Sequence, residues 1–267
     1  MENLWSDKNA ESYINQFATD EVNQDVALRV YTSRLLGGEP KLVLHGGGNT
    51  SVKTTMPDML GHETDDLCVK GSGWDLGDIE PPGLPAVRLE PIRQLAALSA
   101  LSDEGMVNAQ RVNLLDASAP NPSVETLLHA FLPHKFVDHT HANAVLALTD
   151  QEGGDEICRE VFGDRMGYVP YIMPGFALAK KAKEVFEQDM DVEGLILLKH
   201  GIFSFGETAQ EAYERMIEMV SLAEAEIGKR RFRRFSGVEM PTQLASVSEI
   251  APILRGLCAL ETGMNTQ

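Results

Sequence analysis

Apolar residues recur at helical spacing in several stretches of the chain. The first stretch predicts a helix over residues 20–36, which ends at Gly37 and Gly38. Further helices are predicted over residues 90–101, 121–131, 209–227 and 246–260. The 121–131 helix begins with Asn121 as its N-cap and Pro122 at its first position, and the 209–227 helix follows a capping box, Thr208 to Glu211.

Short runs of β-branched and apolar residues predict strands. They cover residues 41–45, 51–55, 67–70, the first part of 136–148, and 195–199. The part of the fourth run after residue 141 fits a helix as well as a strand. Because helices and strands mix without repeated βα units, the pattern predicts one α/β domain over residues 1–267. Its central sheet is expected to be mostly antiparallel, with helices on its faces.

Composition narrows the classes of partner. Hydrophobic residues make up 43% of the 267 residues, enough for a sizeable core, and no apolar run is long enough for a membrane span. The first residues lack a secretory signal and the three cysteines lack CxxC spacing, so we expect a cytoplasmic protein without a thiolate metal site. The net charge of −17 disfavours nucleic acid and anionic membranes, despite one basic stretch at residues 229–234.

The strongest chemical signal is a pair of histidines, His139 and His141. In a strand, residues two apart lie on the same face, so both imidazoles would point one way. His200 follows another predicted strand, where Gly201 permits close approach of the backbone. With Glu125, three histidines and one carboxylate suit a divalent transition metal, with Zn²⁺ as the expected ion.

Local sequence leaves other roles open for the acidic residue and its neighbour. Glu125 falls in the first turn of its predicted helix, where a carboxylate commonly does no more than compensate the helix dipole. His129 lies one turn further on, and it fits either a partner of the metal ligands or a half-buried structural histidine.

Three small-residue turns could bind an anion through backbone N–H groups and hydroxyls. They are the run from Gly46 to Ser51, the turn Gly71-Ser72-Gly73, and Asn121-Pro122-Ser123 at its predicted helix N-terminus. None has the spacing of a dinucleotide or nucleoside-triphosphate loop, and a plain flexible hairpin is the alternative for the first. Nearby positive charge could come from Lys53, Lys70 and Lys199. The alternative is that these lysines lie at strand ends and have no role in binding.

Matching stretches in a fixed order resemble the class II aldolase/adducin family. They are residues 45–53 (HGGGNTSVK), 70–76 (KGSGWDL), 122–133 (PSVETLLHAFLP), 138–150 (DHTHANAVLALTD) and 195–201 (LILLKHG). The likeness is greatest to the aldolase half of bifunctional rhamnulose-1-phosphate aldolase/alcohol dehydrogenase proteins. Their short-chain dehydrogenase half has no counterpart within these 267 residues.

The resemblance implies a set of site residues. A zinc ion would be held by His139, His141 and His200, with Glu125 as the acidic residue at the metal that also acts as the base. Substrate or phosphate would be bound by Asn49, Ser72, Gly73 and Ser123. The resemblance also implies a homotetramer with active sites between subunits.

Some family features are replaced in this chain. Gly46 and Val124 stand where fuculose-phosphate aldolases of the family offer hydroxyl groups to phosphate. The tyrosine that serves as acid from a neighbouring subunit has no motif match, and Tyr168 and Tyr171 are the nearest candidates.

The function that this resemblance implies is metal-dependent aldol cleavage. The substrate would be a ketose 1-phosphate of the rhamnulose or fuculose type, or a related hydroxy-keto compound, cleaved through a metal-stabilised enediolate. Two alternatives use the same domain: a sugar-phosphate 4-epimerase, decarboxylase or dehydratase with the same metal site, and a non-catalytic, adducin-like interaction module. The four candidate ligands argue against the module.

Overall fold

The computed structural model describes residues 1–229 and 245–262. These residues fall in two compact units, Met1–Arg230 and Arg231–Gln267. Of the basic stretch, residues 230–234 lie outside the described residues.

A seven-stranded mixed sheet organises the first unit. Its strands are β1 (Asn49–Pro57), β2 (Glu63–Val69), β3 (Ala86–Arg88), β4 (Phe136–Thr140), β5 (Met166–Val169), β6 (Gly194–Leu197) and β7 (Gly201–Gly206). They lie in the order β3-β2-β1-β4-β7-β6-β5. Every pair is antiparallel except β5–β6, which confirms the predicted mostly antiparallel sheet.

Ten α-helices are found among the described residues. They are α1 (Asp7–Phe17), α2 (Gln24–Gly37), α3 (Leu89–Gln94), α4 (Asp103–Val112), α5 (Thr126–Phe131), α6 (Asn143–Thr149), α7 (Gly154–Phe162), α8 (Phe176–Gln188), α9 (Ala209–Lys229) and α10 (Val247–Thr262). The first nine belong to the first unit and α10 to the second. None of the helices in this part of the chain is long and apolar enough to cross a membrane.

Helices cover both faces of the sheet because side chains alternate along each strand. Leu195, Leu197 and Phe203 pack with α3, α5 and α8 on one face. Ile196 and Ile202 point the other way and pack with α6, α7 and α9. The predicted arrangement of helices on both faces of a central sheet is therefore confirmed.

The register of β4 brings three distant parts of the chain together. His139 lies opposite Asn49 of β1 on one side and opposite Phe203 of β7 on the other. All five residues of β4 are buried. β4 is thus a buried strand that is paired on both sides, and the residues at its carboxyl end lie beside the amino end of β1.

The predicted strand at residues 41–45 is wrong. The backbone there forms turns, in which Leu42 N–H bonds to Glu39 O and Gly47 N–H to Leu44 O. Leu42 and Val43 are nevertheless buried, on the side of the sheet that carries α2. A short apolar run signals burial, and here burial is achieved without a strand.

The predicted helix at residues 121–131 begins later than expected, at Thr126. Pro122 forms an isolated bridge with Gly71, and Ser123 N–H bonds to Lys70 O, so this segment pairs with the turn after β2. Glu125 is therefore the residue before α5 rather than part of its first turn, and Asn121 is not a helix cap.

Other predicted helices agree closely with α2, α9 and α10, and residues 143–149 are helical as α6. The predicted 90–101 helix is shorter, because α3 gives way to a 3₁₀ turn at Leu95–Ala97 and Leu98 is extended. Four helices (α1, α4, α7 and α8) and three strands (β3, β5 and β7) were not predicted.

Candidate metal centre

The two neighbouring histidines lie at the carboxyl end of β4. His139 is fully buried, and its Nδ1–H donates to the Ile202 carbonyl oxygen at 3.1 Å. The Phe203 ring stacks on the imidazole with a centroid distance of 4.3 Å. These contacts fix the ring, and they leave the Nε2 lone pair of His139 without a hydrogen-bond partner. His141 follows the strand end, and its Nε2 is likewise buried and unpartnered.

The third histidine, His200, occupies the turn between β6 and β7. Lys199 just before it has a positive φ of 60°, which turns the chain sharply. A Cβ on Gly201 would lie 2.4 Å from the Thr140 carbonyl oxygen and 3.0 Å from Cε1 of His139. Only glycine allows the backbone at position 201 to approach β4 this closely. The close approach places the His200 ring centroid 5.1 Å from that of His139 and 5.2 Å from that of His141.

The Glu125 carboxylate completes the cluster. Its Oε1 lies 3.2 Å from Nε2 of His200, and its Oε2 lies 3.4 Å from Nε2 of His139. Asn49 Nδ2 donates to Oε2 at 2.6 Å, while Oε1 is buried without a hydrogen-bond partner.

The protonation of the histidines suits a cation. Burial and the neighbouring His141 hold the pKa of His139 well below the usual histidine range. Burial, with His139 nearby, lowers the pKa of His200 to about 4. Near neutral pH both imidazoles are therefore neutral and offer lone pairs, and they do not form ion pairs with Glu125.

These atoms fit a divalent metal ion. One ligand atom from each histidine can be chosen so that all three lie within 4.8 Å of one another. Nitrogen atoms that share a tetrahedral zinc lie about 3.3 Å apart. Side-chain rotations that move each ligand atom by about 1 Å would therefore complete the site. Each buried polar atom without a partner costs about 1–3 kcal/mol, and a cation at this point would satisfy Glu125 Oε1 and both orphaned Nε2 atoms together.

A cavity of about 590 Å³ opens beside the cluster, with Glu125 and His141 in its wall. All four residues expected to bind substrate line it, namely Asn49, Ser72, Gly73 and Ser123. Lys70 is the one cationic side chain among its lining residues; burial lowers the pKa of its ammonium, which donates to the Gly46 carbonyl oxygen at 2.9 Å. Trp74 and the half-exposed Val124 add apolar surface.

The Asn49 side chain is already engaged within the wall. Besides donating to Glu125, its amide nitrogen lies 3.2 Å from Ser123 Oγ, which also accepts from the Glu125 backbone N–H. Gly48 permits the approach of this turn to β4, since its φ is +64° and a Cβ would lie 2.8 Å from the His139 carbonyl oxygen. The side-chain amide therefore orients Glu125 and Ser123.

Several residues considered from the sequence lie away from the cavity. Lys53 donates to the His134 carbonyl oxygen at 2.7 Å and lines a separate cavity, where burial lowers its pKa to about 7. Lys199 is not among the residues that line the site cavity. Within one chain neither tyrosine candidate reaches it: Tyr168 OH donates to Gly163 O, and Tyr171 is 53% exposed.

Two contributors to the site had no signal in the sequence, and Trp74 had one only through the KGSGWDL stretch. Phe203 and the Ile202 carbonyl orient His139, but the pairing of β4 with β7 is needed to see this. Trp74 lines the cavity through the turn after β2, and nothing in the local pattern places that turn beside Glu125.

Comparison with known proteins agrees with this architecture. The model of the Class II Aldolase and Adducin N-terminal domain matches residues 27–227, and the chain belongs to that family. The N-terminal class II aldolase domain of a conserved protein from Thermoplasma acidophilum has a similar structure. Its TM-score is 0.73 at 43% identity, over 80% of this chain and 98% of that one.

More distant relatives extend the comparison. A sugar-phosphate aldolase from Thermotoga maritima is similar in fold, with a TM-score of 0.56 at 16% identity over 75% of this chain and 93% of that one. The uncharacterized oxidoreductase YuxG of Bacillus subtilis (strain 168) is 35% identical over 242 residues, which are 88% of this chain. The chain spans about a third (35%) of the length of that relative.

Proposed function

We propose that this protein is a zinc-dependent aldolase that cleaves a ketose 1-phosphate of the rhamnulose or fuculose type, or a related hydroxy-keto substrate. The observation that carries the proposal is the convergence of three imidazoles and Glu125 at the wall of a cavity large enough for a small sugar. Family membership supports aldolase-type lyase chemistry.

His139, His141, His200 and Glu125 would hold the metal ion. A divalent ion there would act as a Lewis acid on the substrate carbonyl and stabilise the negative charge that develops on its oxygen. Zinc suits three imidazole nitrogens and a carboxylate. The protein's own contribution is orientation, since Ile202 and Phe203 fix the His139 ring before any ligand binds.

Glu125 is the proposed base. In retro-aldol cleavage it takes the proton from the hydroxyl on the carbon that becomes the aldehyde. The carbon–carbon bond then breaks, and its electron pair moves toward the former ketone. A proton is returned to the carbon that lost its neighbour, which releases the second product. Oε2 is held by Asn49, whereas Oε1 accepts no hydrogen bond, so Oε1 is the oxygen that we propose for this transfer when it is not bound to the metal.

The anionic end of the substrate would lie against Ser72, Gly73 and Ser123, with Lys70 behind them. Ser72 and Gly73 are exposed to the cavity, and Gly73, with a φ of +88°, has open space around it. The Lys70 ammonium supplies positive charge to a wall that also contains Glu125 and Asp75. By its resemblance to the family, we propose a homotetramer with a tyrosine from a neighbouring subunit as the acid.

A second candidate keeps the same metal site and changes the reaction. It is a sugar-phosphate 4-epimerase, a decarboxylase or a dehydratase. Gly46 and Val124 offer no hydroxyl to a phosphate, which among these favours a decarboxylase or dehydratase whose substrate carries no phosphate. The two candidates differ in product: only the aldolase releases two carbonyl fragments from one substrate.

A cleavage screen tests the proposal. The protein is incubated with Zn²⁺ and a set of phosphorylated and unphosphorylated ketoses, and release of a three-carbon product is measured with a coupled dehydrogenase. We expect cleavage of at least one phosphorylated ketose, loss of more than 99% of the rate in His139→Ala, and wild-type rates in His62→Ala, whose imidazole is exposed. Full activity in His139→Ala, or in excess chelator, would overturn the proposal.

A further inference from the structure

A chain of buried hydrogen bonds leads away from the metal centre into the core. Asn49 Nδ2 donates to Glu125 Oε2 at 2.6 Å, and Asn49 Oδ1 bonds to His129 Nε2. On its other side, His129 Nδ1 lies 2.8 Å from Ser51 Oγ. His129 and Ser51 are fully buried and Asn49 is 5% exposed, so water does not compete for these bonds.

The direction of every bond in this chain is determined by its carboxylate end. The Asn49 amide turns its nitrogen to Glu125 Oε2, which accepts, and its oxygen to His129. That oxygen also only accepts, so the proton of His129 must be on Nε2. Nδ1 then accepts from the Ser51 hydroxyl. Donation therefore runs from Ser51 through His129 and Asn49 to Glu125.

We infer that His129 is a positioning residue that acts through Asn49 to hold Glu125 oriented toward the metal ligands. The inference rests on the proposed function and deepens it. If the His129 N–H were lost, the Asn49 amide oxygen would lose its donor, and only the contacts of Nδ2 with Glu125 and Ser123 would orient the amide. A flipped amide would face Oε2 with its oxygen, and two acceptor oxygens in contact repel each other, which displaces the carboxylate. A displaced Glu125 binds a cation poorly.

The geometry explains how the two carboxylate oxygens come to differ. Oε2 is tethered by the chain from His129, whereas Oε1 is buried, unpartnered and 3.2 Å from His200 Nε2. Orientation of a metal ligand by an outer hydrogen bond changes metal affinity by about 10–100-fold in other proteins. The same range is expected here for the bond that His129 donates.

Two variants of similar polarity separate this role from general packing. In His129→Gln the amide N–H reaches the position of Nε2 and can still donate to Asn49. In His129→Asn the shorter amide reaches only the position of Nδ1, beside Ser51, and Asn49 loses its donor. Both keep a hydrogen-bonding side chain in α5, and the melting temperatures of the metal-free proteins report whether each folds.

The test is the zinc dissociation constant of each metal-free protein, measured by competition with a chelating dye. We expect His129→Gln to bind zinc within threefold of wild type and His129→Asn to bind at least tenfold more weakly, with kcat falling in the same order. Equal zinc affinity of the two folded variants would overturn the inference, whether both bind as tightly as the wild type or both bind weakly.

The outcome is separable from the fate of the proposed function. A wild-type protein that binds zinc but cleaves no ketose refutes the aldolase, while the comparison of zinc affinities still decides the role of His129. A wild-type protein that binds no zinc refutes both. If His129→Asn does not fold, Asn49→Leu removes the same tether, and it should weaken zinc binding at least tenfold. Unchanged zinc binding in Asn49→Leu contradicts the inference.

Discussion

Gly201 lies directly against Thr140, so that a Cβ on Gly201 would fall 2.4 Å from the Thr140 carbonyl oxygen. This contact joins the start of β7 to the end of β4. Because His200 precedes Gly201 and His141 follows Thr140, the same contact sets the distance between two candidate metal ligands. The backbone packing of two strands and the geometry of the metal centre therefore depend on one glycine.

Gly201→Ala should damage both stability and metal binding. A methyl group at 2.4 Å from a backbone oxygen cannot be accommodated without moving a strand, and we expect a loss of about 2 kcal/mol in the free energy of unfolding. Zinc affinity should fall at least tenfold as His200 moves. Urea denaturation and zinc titration measure the two effects. Gly228→Ala is the control, since no atom lies within 4 Å of its added Cβ; a Gly201→Ala protein that matches it in both measurements contradicts the account.

Zinc should stabilise the folded protein. Binding to the folded state alone adds about 2.7 kcal/mol at a free zinc concentration one hundred times the dissociation constant, which corresponds to roughly 5–10 °C in melting temperature. His141→Ala should lose most of this shift, whereas His62→Ala should keep it. Differential scanning fluorimetry with and without zinc gives the values. An equal shift in His141→Ala and wild type would show that zinc acts elsewhere.

Stability should depend on pH through Lys53. Burial lowers the pKa of Lys53 to about 7 in the folded chain, whereas an unfolded lysine titrates near 10.5. Between these values the unfolded state holds a proton that the folded state lacks, so stability should rise as pH increases from 7 toward 10. The slope is at most about 1.4 kcal/mol per pH unit.

Lys53→Met should remove this rise. The measurement is the free energy of unfolding at pH 7, 8 and 9 for both proteins, and the difference between them isolates Lys53 from other titrating groups. Lys41→Met changes an exposed lysine and should leave the wild-type profile as it is. Parallel profiles for wild type and Lys53→Met would show that Lys53 remains charged when buried.

Val124→Ser should strengthen the binding of a phosphorylated substrate. Val124 is 56% exposed and lines the site cavity, so a hydroxyl at this position can donate to a phosphate oxygen. One hydrogen bond to a charged group is worth about 1.5–3 kcal/mol, and we expect KM to fall about tenfold with little change in kcat. Val112→Ser, which changes an exposed valine outside the cavity, is the control. An equal fall in KM for the unphosphorylated ketose would mean that phosphate is not the group recognised.

Local patterns predicted the central parts of the fold and failed where pairing between distant segments decides the structure. The helix α9 was clear because its 21 residues keep a consistent helical period, and the strand β4 was clear because its short run is rich in apolar and β-branched residues. The 41–45 run is apolar and buried, but it turns. The 121–131 helix starts late because Pro122 bridges to Gly71, a contact that local sequence does not show. In α8 alanines form part of the buried stripe, which weakens the helical pattern.

The candidate site follows the same division. The placement of His139 and His141 on one face could be predicted from the sequence, because it requires only that these residues lie in a strand. The meeting of these histidines with His200 and Glu125 depends on the register of β4 with β7 and on the turn before α5. The role of His129 depends on the pairing of Asn49 with His139 across β1 and β4. Such registers are properties of the folded sheet, so only the structure could connect the residues.

The zinc content of the purified protein tests the central claim most directly. After supplementation and removal of free metal, atomic absorption or mass spectrometry should find about one zinc per chain in the wild type. His139→Ala should hold almost none, because a tetrahedral site that loses one of its ligands binds far more weakly. Less than ~0.2 zinc per wild-type chain would contradict the account, since a site built from three histidines and a carboxylate should bind tightly.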